Sequence, residues 1–263
     1  KNNGFVKLKK FLNDEEALKV KKIIKHYNST KGLKETHFSS NIKSHIIKIL
    51  KLDIKKLFDS NYFLKLEKKK EINKIANLLF EKKSFLQMID GYCSPISDKE
   101  VLPWHCDQAY TGIQNVKTFN HPDHFNYKFF IYLTKVGPNN GCTSYIKGSH
   151  KVTYVLRKGI YEKKINYQPY CNLVDLVKTI KIKNNYEYIK DYISTEKNLT
   201  EKELEDFFNY SELAIKGLDN NQFDFSAEAG DAIIFNDGGV HRGSKILESE
   251  RIVLRYLYST KIK

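Results

Sequence analysis

The chain reads as a mainly β protein, a sandwich or jelly roll with helices at its N-terminal end and one long insertion. Three observations predict this. From Phe85 onward, short segments rich in β-branched and aromatic residues follow one another, separated by turn signals and without alternating helices. Before Phe85, apolar residues recur at helical spacing among lysines. Between Lys151 and Asn221 the strand pattern stops, and it resumes afterwards.

Taken in order, residues 4–8 form a strand. Asn13 then caps a helix, with Glu16 reaching back in a capping box, and Ala17, Val20, Ile24 and Tyr27 make its buried stripe. Two more amphipathic helices are predicted around 42–58 and 64–81, their lysines on a solvated face. The predicted strands are 85–92, 101–107, 127–136, 142–147, 223–225, 232–236 and 251–259. Asn139-Asn140-Gly141 predicts a hairpin turn, since Asn and Gly tolerate positive φ, and residues 228–231 predict a second turn. The insertion is rich in tyrosine, lysine and asparagine, with one predicted helix at 201–210 capped by Thr200 and Glu203. One domain is expected over 1–263: helical support at 1–84, barrel at 85–150 and 222–263, and the insertion at 151–221.

At 263 residues with 41% hydrophobic content, the chain can bury a sizeable core. No run approaches the roughly 18 to 20 apolar residues of a membrane span, and the basic start is not followed by a signal-peptide core, so a cytoplasmic location is expected. Cys93, Cys106, Cys142 and Cys171 are widely spaced, form no CxxC pair, and read as reduced thiols. The formal net charge of +14 invites a nucleic-acid partner. Yet the lysines run the whole length, interleaved with acidic residues, so nucleic-acid binding is not expected and an anionic small molecule is the favoured partner. Oligomeric state is left open.

The chain has only four arginines, and three of them, Arg242, Arg251 and Arg255, fall near its end. Where lysine serves every other purpose, a retained arginine points to use of its planar, two-pronged fork. On a strand, residues two apart share a face, so His105 and Asp107 present an imidazole and a carboxylate to one point while Cys106 turns away. His241, after the Gly238-Gly239 turn, completes a two-histidine, one-carboxylate triad, which leaves three positions open on a non-heme Fe(II). The plain alternative is a satisfied core histidine beside an Asp cap. The segment His121-Pro122-Asp123-His124 reads as a surface turn, and His26, His37 and His45 belong to the helical N-terminal part. Arg251 and Arg255, four apart, point to the same side, and either can anchor a dicarboxylate if it is not tied up by Glu248 or Glu250. Arg242 alternates away from the ligand and reads as a loop or rim charge.

Together these segments resemble the phytanoyl-CoA dioxygenase-like branch of the Fe(II)/2-oxoglutarate oxygenases. Gly4-Phe5-Val6 with residues 11–16 is similar to that family's N-terminal strand and helix, residues 103–107 to its first ligand motif, and residues 140–151 to its central hairpin and following loop. His241 and Arg251 are similar to its last ligand and its cosubstrate arginine. The resemblance implies a double-stranded β-helix, the cupin-like jelly roll, with Fe(II) on His105, Asp107 and His241. It also implies 2-oxoglutarate on Arg251 or Arg255, O2 as the second cosubstrate, and hydroxylation with release of succinate and CO2. Asp107 fits hydroxylation, because halogenases resembling this family carry a small residue there. Gln87 and Thr143 are expected near 2-oxoglutarate. A small, polar, anionic metabolite is the expected substrate, with the insertion and its Tyr154, Tyr161, Tyr167 and Tyr170 around the entrance. Two other classes fit parts of the pattern. A cupin-like hydrolase or isomerase on another divalent ion leaves Arg251 unexplained, and a non-catalytic basic binding module on a degenerate barrel leaves the metal set unexplained.

Overall fold

The structure, a computed structural model, describes residues 2–30, 37–41, 54–107 and 121–260. The elements among them are β1 (Phe5–Leu8), α1 (Asp14–Thr30), β2 (His37–Asn41), α2 (Ile54–Lys69), α3 (Ile72–Phe80), β3 (Ser84–Ser94), β4 (Leu102–His105), β5 (Asn126–Tyr132) and β6 (Thr143–Tyr145). There follow α4 (Ser149–Tyr161), α5 (Leu173–Lys181), α6 (Lys183–Thr195), α7 (Glu201–Lys216), β7 (Ala232–Asn236), β8 (His241–Gly243) and β9 (Arg251–Thr260). The strands form a six-stranded sheet, β1-β7-β5-β9-β3-β2, and a three-stranded sheet, β4-β8-β6. Every pairing is antiparallel, and the two sheets close on each other as a jelly roll.

Alternation along the central strands explains why their sequences are apolar nearly throughout. Tyr127, Phe129, Ile131, Ile234, Leu254, Tyr256 and Tyr258 face outward, where α1, α2 and α3 cover them. Phe130, Tyr132, Ile233, Phe235 and Val253 face inward, against Tyr145 of the small sheet. Each such side chain, fully buried, contributes about 1.5–3 kcal/mol. The helix α1 starts as its sequence dictates: Asn13 Oδ1 accepts from the Glu16 amide at 2.8 Å, and the Asn13 amide donates to Glu16 Oε2 at 3.2 Å. Its residues Ala17, Val20 and Ile24 are buried, and Ile24 occupies the space that a side chain at Gly91 of β3 would need.

Several expected boundaries move. Residues 42–53 of the second predicted helix lie outside the described residues, and His37 lies on a strand rather than a helix. The single helix expected over 64–81 is two, α2 and α3, because Glu71 takes a left-handed backbone (φ 50°) that a right-handed helix cannot continue. The Asn139-Asn140-Gly141 turn forms, with Gly141 at φ 72° and the Asn140 amide donating to Gly137 O, but it makes no hairpin. It carries the chain from β5 in one sheet to β6 in the other. Residues 223–225 form no strand either, only a bridge from Asp224 to Ser144, since Asn220 and Asn221 at positive φ have just turned the chain. The turn at 228–231 forms around Gly230.

The insertion holds four helices, α4 to α7, where one was expected. Their apolar residues, among them Val152, Leu156, Leu176, Ile189 and Phe207, build a core of their own on the outer face of the small sheet, against Trp104, Ile146 and Val240. The α7 capping box forms as predicted, with Thr200 Oγ1 accepting from the Glu203 amide at 3.2 Å. This helix runs on past Tyr210 to Lys216, where Gly217 at φ 66° ends it. Among the described residues, no helix is long and apolar enough to cross a membrane, and no cysteine forms a disulfide.

Candidate metal centre

Strands β4 and β8 pair so that His105 stands opposite His241, and their imidazole centroids lie 4.2 Å apart. The strand expected over 101–107 ends at His105, and Asp107, two residues beyond it, still brings its carboxylate to the same point. Its Oδ1 lies 3.0 Å from His105 Nε2 and its Oδ2 lies 3.4 Å from His241 Nε2. The three residues offer ligand atoms that all fall within 4.8 Å of one another, and no other such group occurs among the described residues.

The protonation pattern follows from the hydrogen bonds. His105 Nδ1 lies 2.7 Å from Pro103 O and His241 Nδ1 lies 2.9 Å from Gly239 O, so each Nδ1–H donates to a carbonyl. In the neutral ring each Nε2 then carries the lone pair, and neither buried Nε2 has a hydrogen-bond partner. Burial, outweighing the nearby Asp107, pulls His241 down to about 4, so its ring stays neutral at physiological pH. Burial would raise the Asp107 carboxyl, but the Lys128 ammonium beside it holds it well below the usual carboxylate range. Two nitrogen lone pairs and a carboxylate facing one point repel each other unless a cation lies between them. The donor set therefore fits a divalent transition metal.

The turn that delivers His241 is fixed on every side. Asn236 Oδ1 accepts from the Gly238 amide at 2.9 Å, Thr153 Oγ1 donates to Gly238 O at 2.7 Å, and Ser149 Oγ accepts from the Val240 amide at 2.8 Å. Cys106 turns away from the metal face as expected, its thiol 2.9 Å from Gly238 O. The Tyr145 ring lies parallel to His241 at 6.4 Å, and its hydroxyl fills the space beside Gly239, where a Cβ would meet it at 1.8 Å.

Arg251 is 2% exposed, and its guanidinium sits among the rings of Tyr92, Phe130 and Tyr132 at 5.6, 5.8 and 5.9 Å. It forms no ion pair among the described residues, and its Nε has no hydrogen-bond partner. The acids suspected from the sequence do not reach it, since Glu250 pairs with Lys25 and Glu248 lies in an exposed turn. Gly141 makes room for the arginine, as a Cβ there would lie 2.7 Å from Arg251 Cδ. Arg255 is placed otherwise. It grips Asp90 through both carboxylate oxygens, with Nε–Oδ1 at 2.7 Å. A buried cation without an anion is costly, so Arg251 fits a carboxylate that no described residue supplies.

A family model described as phytanoyl-CoA dioxygenase (PhyH) matches residues 1–249. The chain belongs to the phytanoyl-CoA dioxygenase family. It is accordingly an Fe/2-oxoglutarate-dependent oxygenase-type enzyme. No curated protein matches the sequence. Among solved structures, HygX from Streptomyces hygroscopicus, with nickel and 2-oxoglutarate bound, is 13% identical with a TM-score of 0.55, covering 99% of this chain and 84% of that one. The epimerase SnoN, in complex with Fe3+, alpha ketoglutarate and nogalamycin RO, is 11% identical with a TM-score of 0.57, covering 98% and 80%. EctD from S. alaskensis, in its apoform, is 11% identical with a TM-score of 0.53, covering 98% and 74%. At such identities the likeness extends to the fold.

In this family member the remaining expected residues are dispersed. Thr143, on β6, is buried, its Oγ1 accepting from the Tyr132 hydroxyl at 2.7 Å, which places it beside the aromatic surround of Arg251. Gln87 is not brought there. It is the residue bulged between Leu86 and Met88, roughly 20 Å along β3 from Ser94, the partner of Arg251. Arg242 does turn away from the metal, but it is no rim charge. It lies over the Trp104 ring at 4.7 Å and pairs with Asp219, Asp224 and Glu100 at 3.1, 3.3 and 3.4 Å. Of the insertion, the stretch before α5 borders the metal ligands, with Cys171 O accepting from the Cys106 amide and Asn172 bridging His105. Tyr170 is buried in the insertion core, whereas Tyr161 and Tyr167 are exposed. Sequence reasoning missed Lys128, whose ammonium contacts Asp107 Oδ2. The signal was a lysine inside the apolar run Tyr127-Lys128-Phe129-Phe130-Ile131.

Proposed function

We propose that this enzyme is a hydroxylase that acts on a small, polar, anionic metabolite, with Fe(II) held by His105, Asp107 and His241 and 2-oxoglutarate anchored on Arg251. The observation that carries it is the pairing of two unsatisfied features in one barrel: two Nε2 atoms facing a carboxylate, and a buried arginine that no acid among the described residues reaches. When bound, iron and 2-oxoglutarate with O2 supply the oxidising power for an unactivated C–H bond, releasing succinate and CO2. The chain's own part is orientation and exclusion of water. The carbonyls of Pro103 and Gly239 hold both imidazoles as neutral donors. The fork of Arg251 offers two parallel hydrogen bonds to the distal carboxylate, and the Tyr132–Thr143 hydroxyl pair stands ready beside it. Phe130, Phe235 and Tyr145 line the dry interior.

Asp107 favours hydroxylation over halogenation, because a carboxylate there occupies the position a halide would need. We assign the edge of the substrate entrance to residues 162–172, whose end bonds the backbone of Cys106 and bridges His105. The high positive charge favours an anionic substrate, and the lack of disulfides suits a cytoplasmic location. The test is anaerobic addition of Fe(II) and then 2-oxoglutarate, followed by air. A weak visible charge-transfer band and then succinate are expected. Metal binding that is indifferent to 2-oxoglutarate points instead to a hydrolase or isomerase, and no metal binding to a non-catalytic barrel; either result sinks the proposal.

A further inference from the structure

Lys128 poses a problem that the ligand set alone does not answer. It sits at the centre of the large sheet, on the inward face of β5, 8% exposed, 5.8 Å from the Phe235 ring centroid. Its ammonium contacts Asp107 Oδ2, one of the oxygens that faces the two imidazoles. A cation fixed on a metal-binding carboxylate competes with the metal, so its presence costs metal affinity. The chain nonetheless places a lysine there, in a strand otherwise built of apolar and aromatic residues from Tyr127 to Tyr132.

The position of the carboxylate supplies the reason. Asp107 stands astride the imidazoles, Oδ1 at 3.0 Å from one Nε2 and Oδ2 at 3.4 Å from the other. With nothing else acting, both oxygens are placed to bind the same ion. A six-coordinate metal held by two nitrogens and two oxygens keeps two positions, and a chelating 2-oxoglutarate fills both. With one oxygen it keeps three, so a position survives for O2. Among the described residues, Lys128 is the cation that sets Oδ2 apart from Oδ1.

We propose that Lys128 is a positioning residue that keeps Asp107 a one-oxygen ligand, occupying Oδ2 so that the metal takes Oδ1 and a coordination position stays open. This inference rests on the metal and cosubstrate assignment above. Lys128 gives up some metal affinity in exchange for an exchangeable position on the metal.

Mn(II), added to the full chain without turnover, tests this through binding affinity and through water-proton relaxation, which reads whether the bound ion keeps an exchangeable water. In the unaltered protein with 2-oxoglutarate, relaxation enhancement is expected to persist. In Lys128→Met it is expected to be largely lost, with Mn(II) affinity unchanged or up to about tenfold tighter, as one removed positive charge dictates. Lys128→Arg, which keeps a cation on Oδ2, is expected to keep the enhancement. Undiminished enhancement in Lys128→Met, equal loss in the Met and Arg variants, or weaker Mn(II) binding in Lys128→Met overturns the proposal. Should Lys128→Met fail to fold, a crystal structure of the unaltered Mn(II)–2-oxoglutarate complex decides. There, one Asp107 oxygen on the metal and the other on Lys128 is expected, and two oxygens on the metal overturns it. If the unaltered protein binds no Mn(II), or binds it without response to 2-oxoglutarate, the functional reading itself falls and takes this inference with it.

Discussion

Two regions of this barrel bury charge, and they resolve it in opposite ways. Around Arg242 and Arg255 each guanidinium meets acids from other segments: Asp219, Asp224 and Glu100 for the one, Asp90 for the other. Around the metal centre and Arg251, lone pairs face a carboxylate and a cation lies among aromatic rings with no acid among the described residues. Arg251 and Arg255 share one strand and one face, yet among the described residues only the second meets an anion. Residue type and burial do not separate a structural arginine from a ligand-binding one; the missing partner does.

The largest effect expected from this contrast lies at the metal ligands. His105→Ala, Asp107→Ala and His241→Ala should each abolish metal-dependent succinate formation, and Asp107→Gly should lose hydroxylation even where some metal still binds. Co(II) titration followed spectroscopically reads the first step directly. Full activity in any two of the alanine variants breaks the assignment. By contrast, Arg242→Met should lower the melting temperature while leaving Co(II) affinity nearly unchanged, since its acids lie on the other side of β8.

The two arginines give a sharper comparison, because the variants should move stability in opposite directions. Arg251→Lys should weaken 2-oxoglutarate about ten- to a hundredfold, the loss of one charge-assisted bond of about 1.5–3 kcal/mol. Arg251→Met should bind it more weakly still, yet melt no lower, and even higher, without ligand, because an unpaired buried cation has been removed. Arg255→Met should cost about 3–5 kcal/mol of stability by stranding Asp90, with a smaller effect on 2-oxoglutarate. Thermal melts with and without 2-oxoglutarate separate the cases, and reversed signs would reassign the cosubstrate to Arg255.

Much of this was legible in the sequence because it depends on short-range rules. The His105/Asp107 spacing, the capping boxes at Asn13 and Thr200, and the boundaries of β7 all follow from local periodicity and hydrogen bonding. What was not legible depends on which segments meet. The Asn139-Asn140-Gly141 signal specifies a tight turn but not whether the strands beyond it pair, and here they join different sheets. Helices α4 to α6 hid behind interleaved tyrosine, lysine and asparagine, and their apolar positions make sense only once the back of the small sheet is there to cover. In a lysine-rich chain, Lys128 was masked by composition. Nothing local separated Arg251 from Arg255, because Asp90 lies on β3, far away in sequence.

A smaller effect is expected at Gly239. It carries the carbonyl that holds His241 Nδ1, and it leaves space for the Tyr145 hydroxyl. Gly239→Ala forces Tyr145 or the turn to move and so shifts His241 without touching a ligand. Metal affinity should fall about ten- to a hundredfold, as for the loss of an outer hydrogen-bond partner. Gly239→Ala together with Tyr145→Leu, which removes both the hydroxyl and the ring carbon that a Cβ would meet at 1.8 and 2.4 Å, should recover part of the loss. No recovery would place the fault in the turn rather than in the tyrosine.

The smallest effect tests whether the insertion is scaffold or lid. Its helix α7 is fixed at the start by the Thr200–Glu203 box, and its Leu204 and Phe207 belong to the core behind the small sheet, away from the metal. Thr200→Ala removes one cap and should cost about 1 kcal/mol of stability. Coupling of 2-oxoglutarate decarboxylation to substrate oxidation should not change, because Leu204 and Phe207 pack into the core behind the small sheet. Shortening residues 162–172, which border β4, should do the reverse, leaving uncoupled succinate formation in place while coupling falls. If Thr200→Ala lowers coupling in step with stability, the helices themselves shape the entrance, and the division between a scaffolding back and an open metal face is drawn in the wrong place.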